Sequence, residues 1–134
     1  MQQQPSISQF LAIAVAFIAT GCGRQGLERY ALSGKVTYGG QPVPAGEIIF
    51  RPDASRDNRG PGSQSDITGG RYQVSAAQGV LGGPYVVTIS GYDGKPITVG
   101  GELVPAGSPL FEQKRLQVEL PKSEGVKDFE IAKP

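Results

Sequence analysis

The sequence predicts an all-β fold, a seven-stranded antiparallel β-sandwich, and three observations carry that prediction. Glycine (20) and proline (11) approach a quarter of the 134 residues, and both are poor in the interior of helices. Apolar residues beyond position 31 recur with a period of two, the signature of half-buried strands. Between those runs lie turn-forming glycines and prolines, and no stretch of useful length has a helical period.

The strands follow in order. Leu32–Tyr38 alternates Leu32, Gly34, Val36 and Tyr38 against Ser33, Lys35 and Thr37, so one set faces a core. Gly39-Gly40 ends it, and Pro42 and Pro44 keep the next residues extended. Glu47–Arg51 is the second strand, and 52–63 is a loop by its Asp, Asn, Gly and Pro content. Gln64–Ile67 and Arg71–Ser75 meet through Thr68-Gly69-Gly70, whose glycines suit a tight hairpin. Tyr85–Ser90 places Tyr85, Val87 and Ile89 on one face. Residues 91–109 form a connection too long for a simple turn. Lys114–Leu120, with Leu116, Val118 and Leu120 inward, and Val126–Ile131, with Phe129 and Ile131 inward, close the chain.

The composition excludes whole classes of chemistry. The chain has no histidine, one cysteine and no tryptophan. Histidine-dependent triads and bases, cysteine-rich zinc sites and intramolecular disulfides are therefore ruled out. A net charge of +1 implies no general attraction to nucleic acid. We expect no catalytic residues, no cofactor and no bound metal.

The first residues read as an address. All charged side chains lie at or after Arg24, and the uncharged stretch contains the apolar run Phe10–Ala19. Ten helical residues are about 15 Å long, half of a ~30 Å hydrocarbon core, so a helical signal peptide fits better than a membrane span. Ala19-Thr20-Gly21 precede the lone Cys22, which resembles the bacterial lipobox. Position 19 is Ala where that motif most often has Leu, and Met1–Gln9 carries no Lys or Arg. The resemblance implies a signal peptide over 1–21, acyl chains of the palmitate kind on Cys22, and a tether over 22–31. Two or three acyl chains hold firmly, at roughly 0.8 kcal/mol per buried methylene. Gly23 lacks the Asp that retains some lipoproteins at the inner membrane. The expected place is therefore the outer membrane, with the domain facing periplasm or exterior.

A second resemblance covers residues 32–131. Ser33-Gly-Lys-Val-Thr-Tyr-Gly-Gly-Gln-Pro-Val-Pro-Ala-Gly46 is similar to the opening of carboxypeptidase regulatory-like, or transthyretin-like, domains. Gly69-Gly70-Arg71-Tyr72-Gln-Val74 and Gly82-Gly83-Pro84-Tyr85-Val-Val-Thr-Ile89 are similar to two further signatures of that family. It implies a transthyretin-like or Ig-like Greek-key sandwich over 32–134, with Tyr72 and Tyr85 in the core. These motifs specify fold and say little of activity. One branch of the family hydrolyses a purine-derived ring with histidines, and none is present here.

Candidate sites are few. Asp53, Asp57 and Asn58 offer oxygen ligands, but Arg51, Arg56 and Arg59 surround them. Gly91-Tyr-Asp-Gly-Lys95 lacks the ending of a phosphate loop, since Pro96 follows. Glu102, Glu112, Glu119 and Glu124 are the carboxylates a glycosidase pair would draw on. The 91–109 connection is the best binding surface, with Tyr92, Ile97, Val99 and Leu103 as its apolar contacts. The expected function is a non-catalytic cell-envelope lipoprotein whose sandwich contacts an envelope protein or glycan. The alternatives are a structural spacer joining an envelope assembly by its edge strands, and an unrecognised hydrolase.

Overall fold

The computed structural model describes residues 27–134. The expected signal peptide, the lipidation site Cys22 and the tether up to residue 26 lie outside the described residues.

The alternating segments form strands where the pattern places them. They are β1 (Leu32–Tyr38), β2 (Gln41–Pro42), β3 (Ala45–Pro52), β4 (Ser63–Thr68), β5 (Arg71–Val74) and β6 (Gly83–Tyr92). Then come β7 (Ile97–Val99), β8 (Glu102–Val104), β9 (Lys114–Leu120), β10 (Gly125–Val126) and β11 (Phe129–Ile131). The seven expected strands correspond to β1, β3, β4, β5, β6, β9 and the β10/β11 pair. Short β2 adds to β1, and β7 with β8 makes a separate two-stranded ribbon inside the long connection.

One hydrogen-bonded path runs β10-β1-β5-β4-β3-β6-β9, and it folds over between β4 and β5. Those two share only the pair Thr68↔Arg71, next to a Gly69-Gly70 turn whose φ values of 57° and 75° suit glycine. Beyond the turn the strands part. β4 stays with β3 over six residue pairs, whereas β5 joins β1. The result is two facing layers, β4-β3-β6-β9 and β5-β1-β10/β11. Aromatic contacts across them confirm the facing: Phe50 of β3 lies 5.6 Å from Tyr72 of β5 and 6.2 Å from Phe129 of β11. Between the layers Leu32, Val36, Ile48, Phe50, Ile67, Tyr85, Val87 and Ile89 are fully buried. This is the all-β sandwich that the period-two pattern predicts.

The last strand departs from the expected antiparallel arrangement. β10 and β11 run parallel to β1 in one continuous register, from Leu32↔Gly125 to Tyr38↔Ile131. The cause is topological. β9 ends at Leu120, paired with Gly83, at the end of the sandwich where β1 begins. A short connection then delivers the chain to the start of β1, and only a parallel course remains.

The strand ladder lapses at Lys127–Asp128, where Gly34 of β1 lies against the closing strand. A Cβ at Gly34 would collide with the Lys127 carbonyl. The carbonyl instead accepts from the Tyr72 hydroxyl, and the Lys35 N–H, denied a backbone partner, donates to the Asp128 carboxylate at 2.8 Å. The Tyr72 phenol is pushed well above its ordinary range, first by burial and then by the nearby Asp128 charge.

A pH dependence follows. With its folded pKa raised, Tyr72 adds stability that is whole below the unfolded pKa of about 10 and is lost as pH rises above it. Tyr72→Phe should cost about 1 kcal/mol at neutral pH and flatten the alkaline limb of the stability curve. Urea unfolding at pH 7 and near pH 11 checks this; an unchanged alkaline slope counts against it.

Candidate functional site

Strand alternation sends one set of side chains into the core and the other onto the outer face of β4-β3-β6-β9. Register then decides which outward residues are neighbours. One row across the strands reads Gln64–Ile49–Thr88–Arg115, and the next reads Arg51–Val86–Gln117. On the other side a row reads Asp66–Glu47–Ser90, and Gln113 donates to the Ser90 hydroxyl at 3.2 Å. Glu47 and Asp66 are directly opposed like charges, which costs some pairing stability.

This face is grooved. A concavity of about 610 Å³ lies over Val86 and Thr88, rimmed by Arg51, Gln113, Arg115, Gln117 and Ser55. A second, of about 360 Å³, lies on the other side of Ile49 and Arg51 and is rimmed by Arg29 and Gln64. A further concavity, of about 780 Å³, opens where β4 and β5 part, and mixes Lys35 and Arg71 with Asp66 and Asp128.

The loop after β3 closes one end of the grooved face. Asp53 starts its single helical turn and accepts from the Ser55 N–H at 3.1 Å, the Ser55 hydroxyl at 2.5 Å and Arg56 Nε at 2.8 Å. Those bonds hold its carboxyl below the ordinary range, the Ser55 hydroxyl contributing most and Arg56 next. Arg56 also reaches Glu119 at 3.3 Å. Asn58 donates to the carbonyls of Gly82 and Pro84, while Asp57 is exposed with a left-handed φ of 60°. Asp53 and Asn58 therefore serve the loop and its seat on β6. Among the described residues no three His, Cys, Asp or Glu side chains gather as a metal site.

In the Gly91–Lys95 segment Gly91 and Tyr92 end β6, and Asp93–Lys95 leave it through a bend anchored by the aspartate. Asp93 accepts from the N–H groups of Lys95 (2.9 Å) and Ser108 (3.2 Å), and the Asp93 N–H donates to the Ser108 carbonyl. These bonds pinch the base of residues 93–108 into a neck. Above the neck stands the β7–β8 hairpin. Ile97 and Val99 share one of its faces with Val104 and Glu102, and Leu103 lies opposite, beside Thr98. Val99 and Leu103 are 59% and 67% exposed. Tyr92 sits apart, at the end of β6, half-buried against a groove of about 460 Å³ with Leu110 and Phe111. The four residues do not share one surface: two lie on one hairpin face, one on the other, and one at the base.

Glu102, Glu112, Glu119 and Glu124 are all exposed. They are spread over β8, the approach to β9, β9 itself and the turn after it. Loops 52–63 and 91–109 stand at opposite ends of the sandwich, because β3 and β6 pair from Pro52↔Tyr85 to Ala45↔Tyr92. Sequence reasoning missed Arg51, Arg115, Gln113 and Gln117 as a group. Their outward facing is legible from alternation, but which of them are neighbours depends on register.

No protein-family model matches the sequence, and no curated protein is significantly similar. Among solved structures, a Pseudomonas aeruginosa protein proposed to bind carbohydrate is similar at 10% identity and a TM-score of 0.45. That likeness covers 79% of this chain and 90% of the other.

Proposed function

We propose that this chain is a cell-envelope lipoprotein, held at the outer membrane by acyl chains on Cys22. Its carboxypeptidase regulatory-like sandwich is then a non-catalytic binding module that faces away from the membrane. The observation that supports this reading is the polarity of the sandwich. The described chain enters where Tyr30 pairs with Val80 and Arg29 bonds the Gly79 carbonyl, just before the start of β6. The other end of β6, a strand of ten residues and so roughly 30 Å away, carries the β7–β8 hairpin. An anchor at one end thus displays the exposed aliphatic side chains Val99 and Leu103 at the other, where an envelope partner can meet them.

The spacer alternative fits less well. Among the described residues β9 pairs only with β6, and its open edge carries Lys114, Arg115 and Glu119, charges that discourage strand addition.

The test compares native protein with Cys22→Ser by intact mass and detergent partitioning, followed by photo-crosslinking from position 103 in intact cells. The expected result is an acylated chain starting at Cys22, detergent partitioning lost in the variant, and one defined crosslinked envelope partner. A native chain that stays aqueous and unacylated refutes the anchor. Acylation without any crosslink from position 103 refutes the display role of the hairpin.

A further inference from the structure

The geometry points to a second binding site, on the outer sheet face, for a carboxylate-bearing polysaccharide. We infer it from charge, shape and the kind of donor present. The two concavities share Ile49 and Arg51 in their lining, and we take them together as one groove across β4, β3, β6 and β9. Three inter-strand spacings make it roughly 14 Å long.

Among the described residues three arginines line the groove: Arg51, Arg115 and Arg29, whose guanidinium already donates to the Gly79 and Gly62 carbonyls and the Ser63 hydroxyl. Among the described residues neither Arg51 nor Arg115 has a carboxylate partner, since the ion pairs formed there are Arg56–Asp53 and Arg56–Glu119. Asp53 is the one carboxylate in the groove lining, and its oxygens already hold Ser55 and Arg56. The groove is therefore positive within a chain of nearly zero net charge, and forked guanidinium donors match carboxylates in particular.

The floor narrows the class of ligand. Ile49 and Val86 are half-buried there and offer an apolar base for the C–H face of a sugar ring. Around them Gln113, Gln117 and Thr88 supply amide and hydroxyl groups that both donate and accept, and the Ser55 hydroxyl, its proton given to Asp53, can accept, as a polyhydroxylated ligand requires. An extended peptide would seek main-chain partners at a sheet edge. The backbone groups of β3 and β6 under this groove are spent on their neighbours.

The experiment is a titration of the full chain in nonionic detergent with polygalacturonate, dextran and polyglutamate, read by amide NMR shifts and by calorimetry. Polygalacturonate should bind, shift the amides of residues 49–51, 86–88 and 113–117, and weaken as salt rises. Arg51→Gln and Arg115→Gln should each weaken binding about tenfold, as expected for loss of one charge-assisted contact. Lys95→Gln, with the same change in net charge at the far end, should leave it unchanged. Dextran binding as tight as polygalacturonate on the same amides overturns the acidic class and leaves a sugar site. Equal binding of polyglutamate overturns the sugar. Absence of shifts on this face with all three polymers overturns the site itself. None of these outcomes bears on the Cys22 anchor or the hairpin, which have their own test.

Discussion

Phe50→Ala is expected to destabilise the domain by about 3–5 kcal/mol, the usual cost of emptying a buried phenylalanine site. Phe50 is fully buried, and its ring bridges the two layers through Tyr72 and Phe129, which themselves lie 6.0 Å apart. Removing it breaks two of the three ring contacts and leaves a void that neither layer can close, because each is held by its own hydrogen-bonded ladder. Against a typical stability of roughly 5–15 kcal/mol, the melting temperature should fall by on the order of 20 °C. Val99→Ala, on the exposed hairpin, should change stability by less than about 0.5 kcal/mol. Thermal and urea unfolding of the pair would settle the matter; similar losses in both variants would mean the core is not where the ring cluster places it.

Gly34→Ala adds a single methyl group and should nonetheless cost about 2–3 kcal/mol, toward the upper end for overpacking. Most added methyls are relieved by a side chain moving aside. Here the obstacle is the Lys127 backbone carbonyl, with the Tyr72 ring close behind, and the carbonyl can retreat only if the closing strand leaves β1. The loss should therefore be local as well as global. Hydrogen exchange should quicken at residues 125–131 while the β3–β6 ladder keeps its protection. A variant that exchanges normally over 125–131 would show that the strand accommodates the methyl group and that Gly34 is not required for close approach. Tyr72→Phe probes the same junction from the other side, and the two effects should not add, since both act through the Lys127 carbonyl.

How much of this was legible from the residues alone depends on the kind of information each feature needs. Strand existence needs only local alternation. Tyr85, Val87 and Ile89 against Val86, Thr88 and Ser90 announce β6, and the structure buries the first set and half-exposes the second. The β7–β8 ribbon escaped because its strands are three residues each, too short for a period to emerge among glycines and prolines. The direction of the last strand escaped for a different reason. Phe129 and Ile131 point inward whether the strand runs parallel or antiparallel, so alternation carries no sign of direction.

The candidate sites divide along the same line. Asp53, Asn58 and Asp93 stand out in the sequence as oxygen-bearing turn residues, and the structure spends all three on holding loops. Nothing in the sequence joins Arg51 to Arg115, which lie 64 positions apart on strands that look alike. They line one groove only because Ile49 pairs with Thr88 and Thr88 with Arg115. Fold class, the inward residues and the lack of histidine chemistry could be read from the residues, because composition and periodicity are local properties of the chain. Strand direction, the contact of Gly34 with Lys127, the separation of loops 52–63 and 91–109 to opposite ends, and the positive groove were decided by the tertiary structure alone. Each depends on which strand lies beside which, and that is set by packing free energy summed over the whole core.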